Sequence, residues 1–194
     1  MRAARTGRAA RSPAPVERHR LGRWTAPFLA LLLAACATPP RADSVPWTEG
    51  RLSVQVQASG TEAARGMSAA FQLRGDGDAG ELRLDSPLGL RMASARWAPG
   101  LALLQTSQGE QRYDSLDALS REALGESLPL AALPDWLAGR PWPGAPHVAD
   151  DTGFEQLGWH VVLTRQAEGW IEARRDAPPA VTLRVRLDPG TGGS

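Results

Sequence analysis

The chain has a single cysteine, Cys36, and its surroundings favour covalent modification of that thiol. Cys36 follows Leu33-Ala34-Ala35 and closes an apolar run that begins at Ala26, and seven arginines precede that run. A basic region, a short apolar region and then small residues are typical of a secretory signal peptide. The apolar stretch of about 10 residues is too short to cross a bilayer, which takes roughly 20 residues.

The position of the cysteine directly after Leu-Ala-Ala resembles the lipobox of bacterial lipoproteins. In such signals the cysteine is diacylated on sulfur, becomes the first residue after cleavage and is then acylated on its amine. The alternative is an ordinary signal peptide followed by a free thiol. We predict a signal peptide over residues 1–35, lipid attachment at Cys36 and a tether over residues 36–46. Ala37 stands where enteric lipoproteins of the inner membrane carry aspartate, which favours the outer membrane.

Removal of residues 1–35 would change the sign of the net charge. The full sequence carries +1, and the removed segment contains seven arginines and Glu17, so the mature chain carries −5. A negative chain does not suit nucleic acid, whose phosphates require a basic stripe. With Cys36 acylated, no thiol remains for disulfides, redox chemistry or metal binding.

The other side chains that could carry out catalysis are few. His147 lies in a Pro-rich loop, and His160 would face water if its neighbours Trp159 and Val161 face the core. The sequence contains no Gly-X-Ser-X-Gly, HExxH or P-loop motif. Two acidic pairs lie in contexts typical of solvated turns: Asp76 with Asp78, and Asp150 with Asp151. We therefore predict no enzyme, no metal site and no cofactor.

From Gly50 onward the dominant hydrophobic period is two, which is typical of strands with one buried face. The alternating stretches are residues 52–56, 71–73, 82–84, 157–163 and 181–187. Segments 75–80 and 98–100 have the composition of hairpin turns. Strands at a spacing of roughly 10 residues predict a curved antiparallel sheet or barrel.

Two short amphipathic helices are predicted in the middle of the chain. Residues 115–124 have apolar side chains at helical spacing before Gly125, and residues 129–139 repeat the pattern. The simplest packing lays both helices on the apolar face of the sheet and encloses a space between them. The candidate lining residues, any of which could instead be ordinary core, are Leu52, Val54, Phe71, Leu82, Leu84, Trp97, Leu133, Trp136, Leu137, Trp159, Val161, Leu183 and Val185.

One turn has an apolar side chain where a polar one is usual. Ser86-Pro87-Leu88-Gly89 fits a type I turn, with Leu88 at the third position. The sequence leaves two interpretations open: Leu88 folds back onto the sheet, or it protrudes and contacts lipid or an acyl chain. Burial of one leucine contributes about 1.5 to 3 kcal/mol, which is enough for transient contact and too little for anchoring.

The chain from Cys36 to about Leu187 resembles the LolB family of outer-membrane lipoprotein receptors. The resemblance rests on the lipobox and on residues 50–52, 80–89, 129–141 and 154–159. It implies an incomplete antiparallel β-barrel, closed by short helices around an apolar cavity. We expect this domain over residues 47–188, followed by a flexible tail over residues 189–194.

The resemblance also implies a function and partners. The chain would accept triacylated lipoproteins from the periplasmic carrier LolA and insert them into the outer membrane. The loop Ser86, Pro87, Leu88 and Gly89 would assist insertion, and the protein would be a lipid-anchored monomer on the periplasmic face of the outer membrane. The alternative is a lipid-anchored structural or sensor domain that binds a protein partner. A periplasmic hydrolase is disfavoured by the missing nucleophile and base.

Overall fold

The alternating stretches of the sequence form one antiparallel sheet of eleven strands in the computed structural model, which describes residues 45–190. The strands are β1 (Thr48–Val56), β2 (Arg65–Gly75), β3 (Gly80–Asp85), β4 (Arg91–Ala98), β5 (Leu101–Thr106), β6 (Gly109–Arg112), β7 (His147–Ala149), β8 (Gly153–Gln156), β9 (Trp159–Val162), β10 (Trp170–Arg175) and β11 (Val181–Leu187). Their spatial order is β6-β5-β4-β3-β2-β1-β11-β10-β9-β8-β7. The strands β6 and β7 are left as edges, so the sheet is not closed into a barrel. The predicted fold class is confirmed.

One face of the sheet is apolar because directly paired residues share a face. Leu52 of β1, for example, lies opposite Ala69 of β2 and Val185 of β11, and all three are buried. Inward residues from both halves of the sheet belong to the same core cluster. The sheet therefore curves around a single core, as large twisted sheets do.

Two helices cover the apolar face: α1 (Leu116–Leu124) and α2 (Leu133–Leu137). The Ser115 hydroxyl accepts the Ala118 N–H at 3.1 Å and caps the start of α1. Gly125 ends α1 in the left-handed conformation at φ 74°, which a residue without Cβ adopts most easily. The predicted bounds of α1 are confirmed.

The second helix is shorter than the predicted span of residues 129–139. Residues 130–132 form turns, and α2 begins only at Leu133. The reason is Pro134, which has no N–H and fits only in the first turn of a helix.

The alternating stretch 157–163 was also predicted too long, because only Trp159–Val162 forms a strand. Gln156 pairs with Trp159, so Leu157 and Gly158 form a two-residue hairpin turn with positive φ at both positions, 56° and 76°. This is the geometry of a type I′ turn. Leu157 is consequently exposed at the turn and contributes nothing to the core.

The signal segment 1–35, Cys36 and the tether up to residue 44 lie outside the described residues, as do residues 191–194. Within residues 45–190 no helix has the length and apolar character needed to cross a membrane.

Candidate lipid-binding core and apolar loop

The loop between β3 and β4 presents its leucine to solvent. The Gly89 N–H donates to the Ser86 carbonyl at 2.8 Å, and the Ser86 N–H donates to the Leu90 carbonyl at 2.8 Å. Gly89 has φ 78°, which lets the chain close the loop tightly. Leu88 is 87% exposed and Leu90 is 68% exposed. Of the two interpretations of this turn, folding back of Leu88 is wrong.

The base of this loop is held by polar contacts. Asp85, the last residue of β3, accepts a hydrogen bond from the Arg91 guanidinium at the start of β4. The Ser86 hydroxyl accepts the Leu90 N–H at 3.2 Å. An apolar tip on a constrained base loses little conformational entropy when it binds, which favours contact with an apolar environment.

The thirteen candidate lining residues are brought together in one cluster. Every one of them is buried, with at most 5% of its surface exposed. They come from the inner face of the sheet and from α2. Trp136 of α2 lies 6.4 Å from the ring of Phe154 and 6.3 Å from that of Trp159, measured between centroids.

These side chains fill the interior in the present conformation. An empty space wide enough for an acyl chain would also admit water, and its walls would then be measurably exposed. The thirteen residues are at most 5% exposed and so are closely packed here, although Val54, Trp97 and Trp159 among them also line openings beside α1. We call residues 116–137, which contain α1 and α2, the helical segment. Four of its leucines occupy the space against the sheet and are at most 2% exposed: Leu119, Leu124, Leu128 and Leu130. The role of the thirteen candidate residues in lipid binding remains a prediction.

Three openings border α1. A cavity of about 430 Å³ lies at its start, between Trp97, Tyr113 and Leu116. A second, of about 420 Å³, is lined by Leu116, Leu130 and other residues that include Trp142, Trp159 and Arg175. A third, of about 120 Å³, lies at the end of the helix between Val54, Met67 and Leu124. The apolar core is thus approached from both ends of this helix.

A carboxylate ties the end of α1 to the sheet. Glu126 follows α1 and is 9% exposed. One of its oxygens lies 3.5 Å from Arg65 of β2, and the other lies 3.2 Å from Arg175 of β10. Arg65 also donates to the Gly125 carbonyl at 3.2 Å. We call Glu126, Arg65 and Arg175 the carboxylate latch.

The latch borders two of the openings. Arg65 lines the opening of about 120 Å³ and Arg175 lines the opening of about 420 Å³. Both arginines lie in one row across four strands. Arg65 of β2 pairs with Val56 of β1, Val56 pairs with Val181 of β11, and Val181 pairs with Arg175 of β10. The carboxylate therefore bridges the row at the end of the sheet where the 86–89 loop also projects.

Gln156 holds α2 against the sheet through hydrogen bonds. The sequence analysis did not identify this residue. Its Oε1 accepts the Trp136 indole N–H at 2.8 Å and the Trp142 N–H at 2.9 Å. Its Nε2 donates to the carbonyls of Trp142 and Ala145, both at 2.8 Å. Its position could have indicated this role. Gln156 is a polar residue at an inward position of a strand, and a buried amide must find hydrogen-bond partners.

His160 points outward, as predicted from its apolar neighbours. Its Nε2 lies 2.9 Å from Asp150 and 3.1 Å from the Thr152 hydroxyl. Both partners meet the same ring nitrogen, so His160 does not bridge them in the manner of a Ser-His-Asp triad. Asp150 instead accepts the N–H groups of Thr152 and Gly153 and shapes the turn between β7 and β8.

A family model described as "Outer membrane lipoprotein LolB" matches residues 47–188. The chain belongs to this family. Proteins named outer-membrane lipoprotein LolB from three bacteria illustrate the similarity. That of Bordetella petrii is 36% identical over 186 residues, which cover 88% of each chain. That of Cupriavidus necator is 34% identical over 184 residues, covering 83% of this chain and 92% of the relative. That of Chromobacterium violaceum is 33% identical over 145 residues, covering 72% and 81%.

Membership of the LolB family makes this chain an outer-membrane lipoprotein receptor that serves lipoprotein localisation. The family resemblance drawn from the sequence is confirmed. The exposed Leu88 loop and the buried apolar cluster are the two features of the described residues that this function can use.

Proposed function

We propose that this LolB-family protein accepts acylated lipoproteins from the periplasmic carrier LolA and releases their lipid chains into the outer membrane beside the Leu88 loop. It is organised as a cleaved signal peptide over residues 1–35, a lipid-anchored tether over residues 36–46 and a binding domain over residues 47–188. The transfer makes and breaks no covalent bond. The observation that carries the proposal is Leu88, 87% exposed on a constrained loop at the latched end of an apolar core.

The acyl chains enter between the sheet and the helical segment. Because the core is filled, room for them is made by moving α1, which is bordered by all three openings. Leu119 and Leu124 then leave the sheet, and acyl chains take their place against the inner face of β4 and β5. The exchange of one apolar partner for another leaves little net cost in buried area.

Direction comes from differences in affinity. Cargo binds this domain more tightly than it binds the carrier, and binds the bilayer more tightly still. The alternative, a structural or sensor domain, has in its favour the filled core of the present conformation. A fluorescent apolar probe distinguishes the two: displacement of bound probe by a lipoprotein supports transfer, and failure of the probe to bind supports the sensor.

The decisive experiment mixes a complex of carrier and acylated cargo with the mature chain carrying Cys36→Ala. Transfer of the cargo to this protein, followed by its appearance in added vesicles, is the expected result. Cargo that stays with the carrier would contradict the proposal.

Substitution of Leu88 separates acceptance from delivery. We expect Leu88→Glu to accept cargo nearly as well as the parent chain, because Leu88 lies outside the core. Delivery into vesicles should fall at least about tenfold, since a carboxylate is costly to bring into an apolar interior. The matched control is Val148→Glu, which places the same charge at an exposed apolar position of β7 and should deliver normally. Normal delivery by Leu88→Glu would remove the loop from the mechanism.

A further inference from the structure

The outer face of the sheet is basic although the protein as a whole is acidic. The outer face consists of the strand residues that point away from the apolar face, as the register of the strands shows. It contains nine of the fourteen arginines of residues 45–190 but only six of the nineteen acidic residues. The arginines are Arg51, Arg74, Arg83, Arg91, Arg96, Arg112, Arg174, Arg184 and Arg186. The acids are Glu49, Glu81, Asp85, Glu110, Glu155 and Glu172. This face therefore carries +3, and the remainder of the described residues carries −8.

Two of these arginines meet side by side with no carboxylate paired to either, although the charge of Arg186 contributes to the lowered pKa of Glu168, which pairs with Arg165. Arg51 of β1 and Arg186 of β11 are direct cross-strand partners at the centre of the sheet, and both are exposed. Within residues 45–190 neither has a carboxylate oxygen within 4.0 Å. Like charges in direct register destabilise a strand pair unless something neutralises them. An anion bound between them would remove this repulsion.

Aromatic rings extend the same surface. The ring of Trp170, the next residue in this row, lies 5.1 Å from the Arg186 guanidinium and 5.6 Å from that of Arg165. Indole and guanidinium groups together are suited to the boundary between lipid headgroups and acyl chains.

The tether joins the domain on this face. The ring of Trp47 lies between Arg74 and Arg83, 4.5 and 4.3 Å from their guanidinium carbons. Both arginines belong to the outer face, so the described chain begins beside this face. Fully extended, the eleven residues from Cys36 to Pro46 would reach at most about 40 Å. A lipid anchor at Cys36 would therefore keep the domain within that distance of the bilayer.

We propose that the outer face of the sheet is a membrane-docking surface that binds anionic lipid phosphates, with Arg51 and Arg186 at its centre. The Leu88 loop begins at Asp85, which lies in the same cross-strand row as Arg51 through Ala70. Docking through this face therefore places the base of the loop beside the bilayer and leaves the helical side free for cargo. The negative charge elsewhere does not prevent binding, because salt screens charges beyond about 8 Å.

The test measures binding of the mature chain carrying Cys36→Ala to vesicles of phosphatidylethanolamine, with and without about 20 mol% phosphatidylglycerol, whose anionic headgroup gives the vesicle a negative surface potential. We expect phosphatidylglycerol to strengthen binding and added salt to weaken it. Bulk repulsion between anionic vesicles and a protein of charge −5 predicts the opposite.

A pair of double variants with equal net charge locates the surface. Arg51→Gln with Arg186→Gln should weaken binding roughly ten- to thirtyfold, since each arginine near an anionic surface contributes about fivefold. Arg121→Gln with Arg140→Gln removes the same charge from the helical side, where Arg121 and Arg140 are exposed and Arg140 pairs with Asp135, and should leave binding unchanged. Equal losses in the two double variants, or binding indifferent to phosphatidylglycerol, would overturn the proposal. Both variants should still accept cargo, so failure here is distinguishable from failure of the transfer function.

Discussion

At the scale of single residues, the interior of this protein depends on one buried amide as much as on its apolar side chains. Gln156 is 2% exposed and satisfies four backbone and side-chain groups of α2 and the Pro-rich loop. Removal of such a group leaves buried donors and acceptors without partners, and each orphan costs about 1 to 3 kcal/mol. Gln156 therefore helps to hold α2 against the sheet.

Replacement of Gln156 tests this role. We expect Gln156→Met, which keeps the size of the side chain, to lower the free energy of unfolding by about 2 to 4 kcal/mol because Trp136 and Trp142 lose their partner. Urea unfolding measures the change. Gln55→Met, at an exposed position of β1, is the control and should stay within about 0.5 kcal/mol of the parent. A Gln156→Met variant as stable as that control would show that the amide is dispensable.

At the scale of elements, α1 and α2 are attached to the sheet in different ways. The ring of Trp136 in α2 packs against two aromatic rings and donates to Gln156. The segment that follows α1 is tied to the sheet by the carboxylate latch, in which Glu126 is nearly buried and the two arginines are partly exposed. Ion pairs whose partners reach solvent are replaced by water more readily than buried hydrogen bonds. In the proposed mechanism the latched helix is accordingly the element that opens.

Loss of the latch should speed the entry of apolar ligands. Glu126→Gln removes the charge that attracts Arg65 and Arg175, and a loss of about 1 to 1.4 kcal/mol would raise the open population roughly five- to tenfold. Stopped-flow binding of a fluorescent apolar probe should show a rate increase of that size. Glu122→Gln changes the same charge on the exposed side of α1 and should leave the rate unaltered. Identical rates in parent and Glu126→Gln would show that another step limits opening.

At the scale of the whole molecule, ion pairs on the sheet connect stability to pH. Burial raises the pKa of Glu81, but hydrogen bonds from Arg83 and Arg74 outweigh it and leave the pKa below its ordinary value. Burial also raises the pKa of Glu172, but the hydrogen bonds from Arg184 and Arg174 outweigh it, so this pKa is lowered as well. Hydrogen bonds from Thr152 are the main reason that the pKa of Asp150 falls from 3.8 to about 2.

These lowered values predict acid destabilisation. A carboxyl group with a lower pKa in the folded state stabilises the fold fully above its unfolded pKa and loses that contribution as the pH falls through the folded pKa. For Asp150 the window runs from about 3.8 down to about 2. Thermal unfolding between pH 5 and pH 2 should therefore show a smaller decrease for Asp150→Asn than for the parent. Asp151→Asn, its exposed neighbour, should follow the parent curve, and a parallel curve for Asp150→Asn would contradict the assignment.

Much of this architecture was predictable because it is local. Alternation at Leu52, Val54 and Val56 specifies a strand with one dry face, and Ser115 and Gly125 delimit α1 by their capping chemistry. The errors are equally local in origin. Pro134 shortened α2, and the positive φ of Leu157 turned an apparent strand residue into a hairpin tip.

By itself the sequence determined the lipobox, the strand periodicity, the helix caps and the apolar turn at Leu88, since each depends on neighbours within a few residues. Only the tertiary structure decided that Leu88 projects into solvent, that Glu126 joins Arg65 and Arg175, and that Arg51 lies beside Arg186. These relations join residues 49 to 135 positions apart, and strand order and register bring them together. No periodicity encodes such distances, because the free energy of many simultaneous contacts selects the pairing.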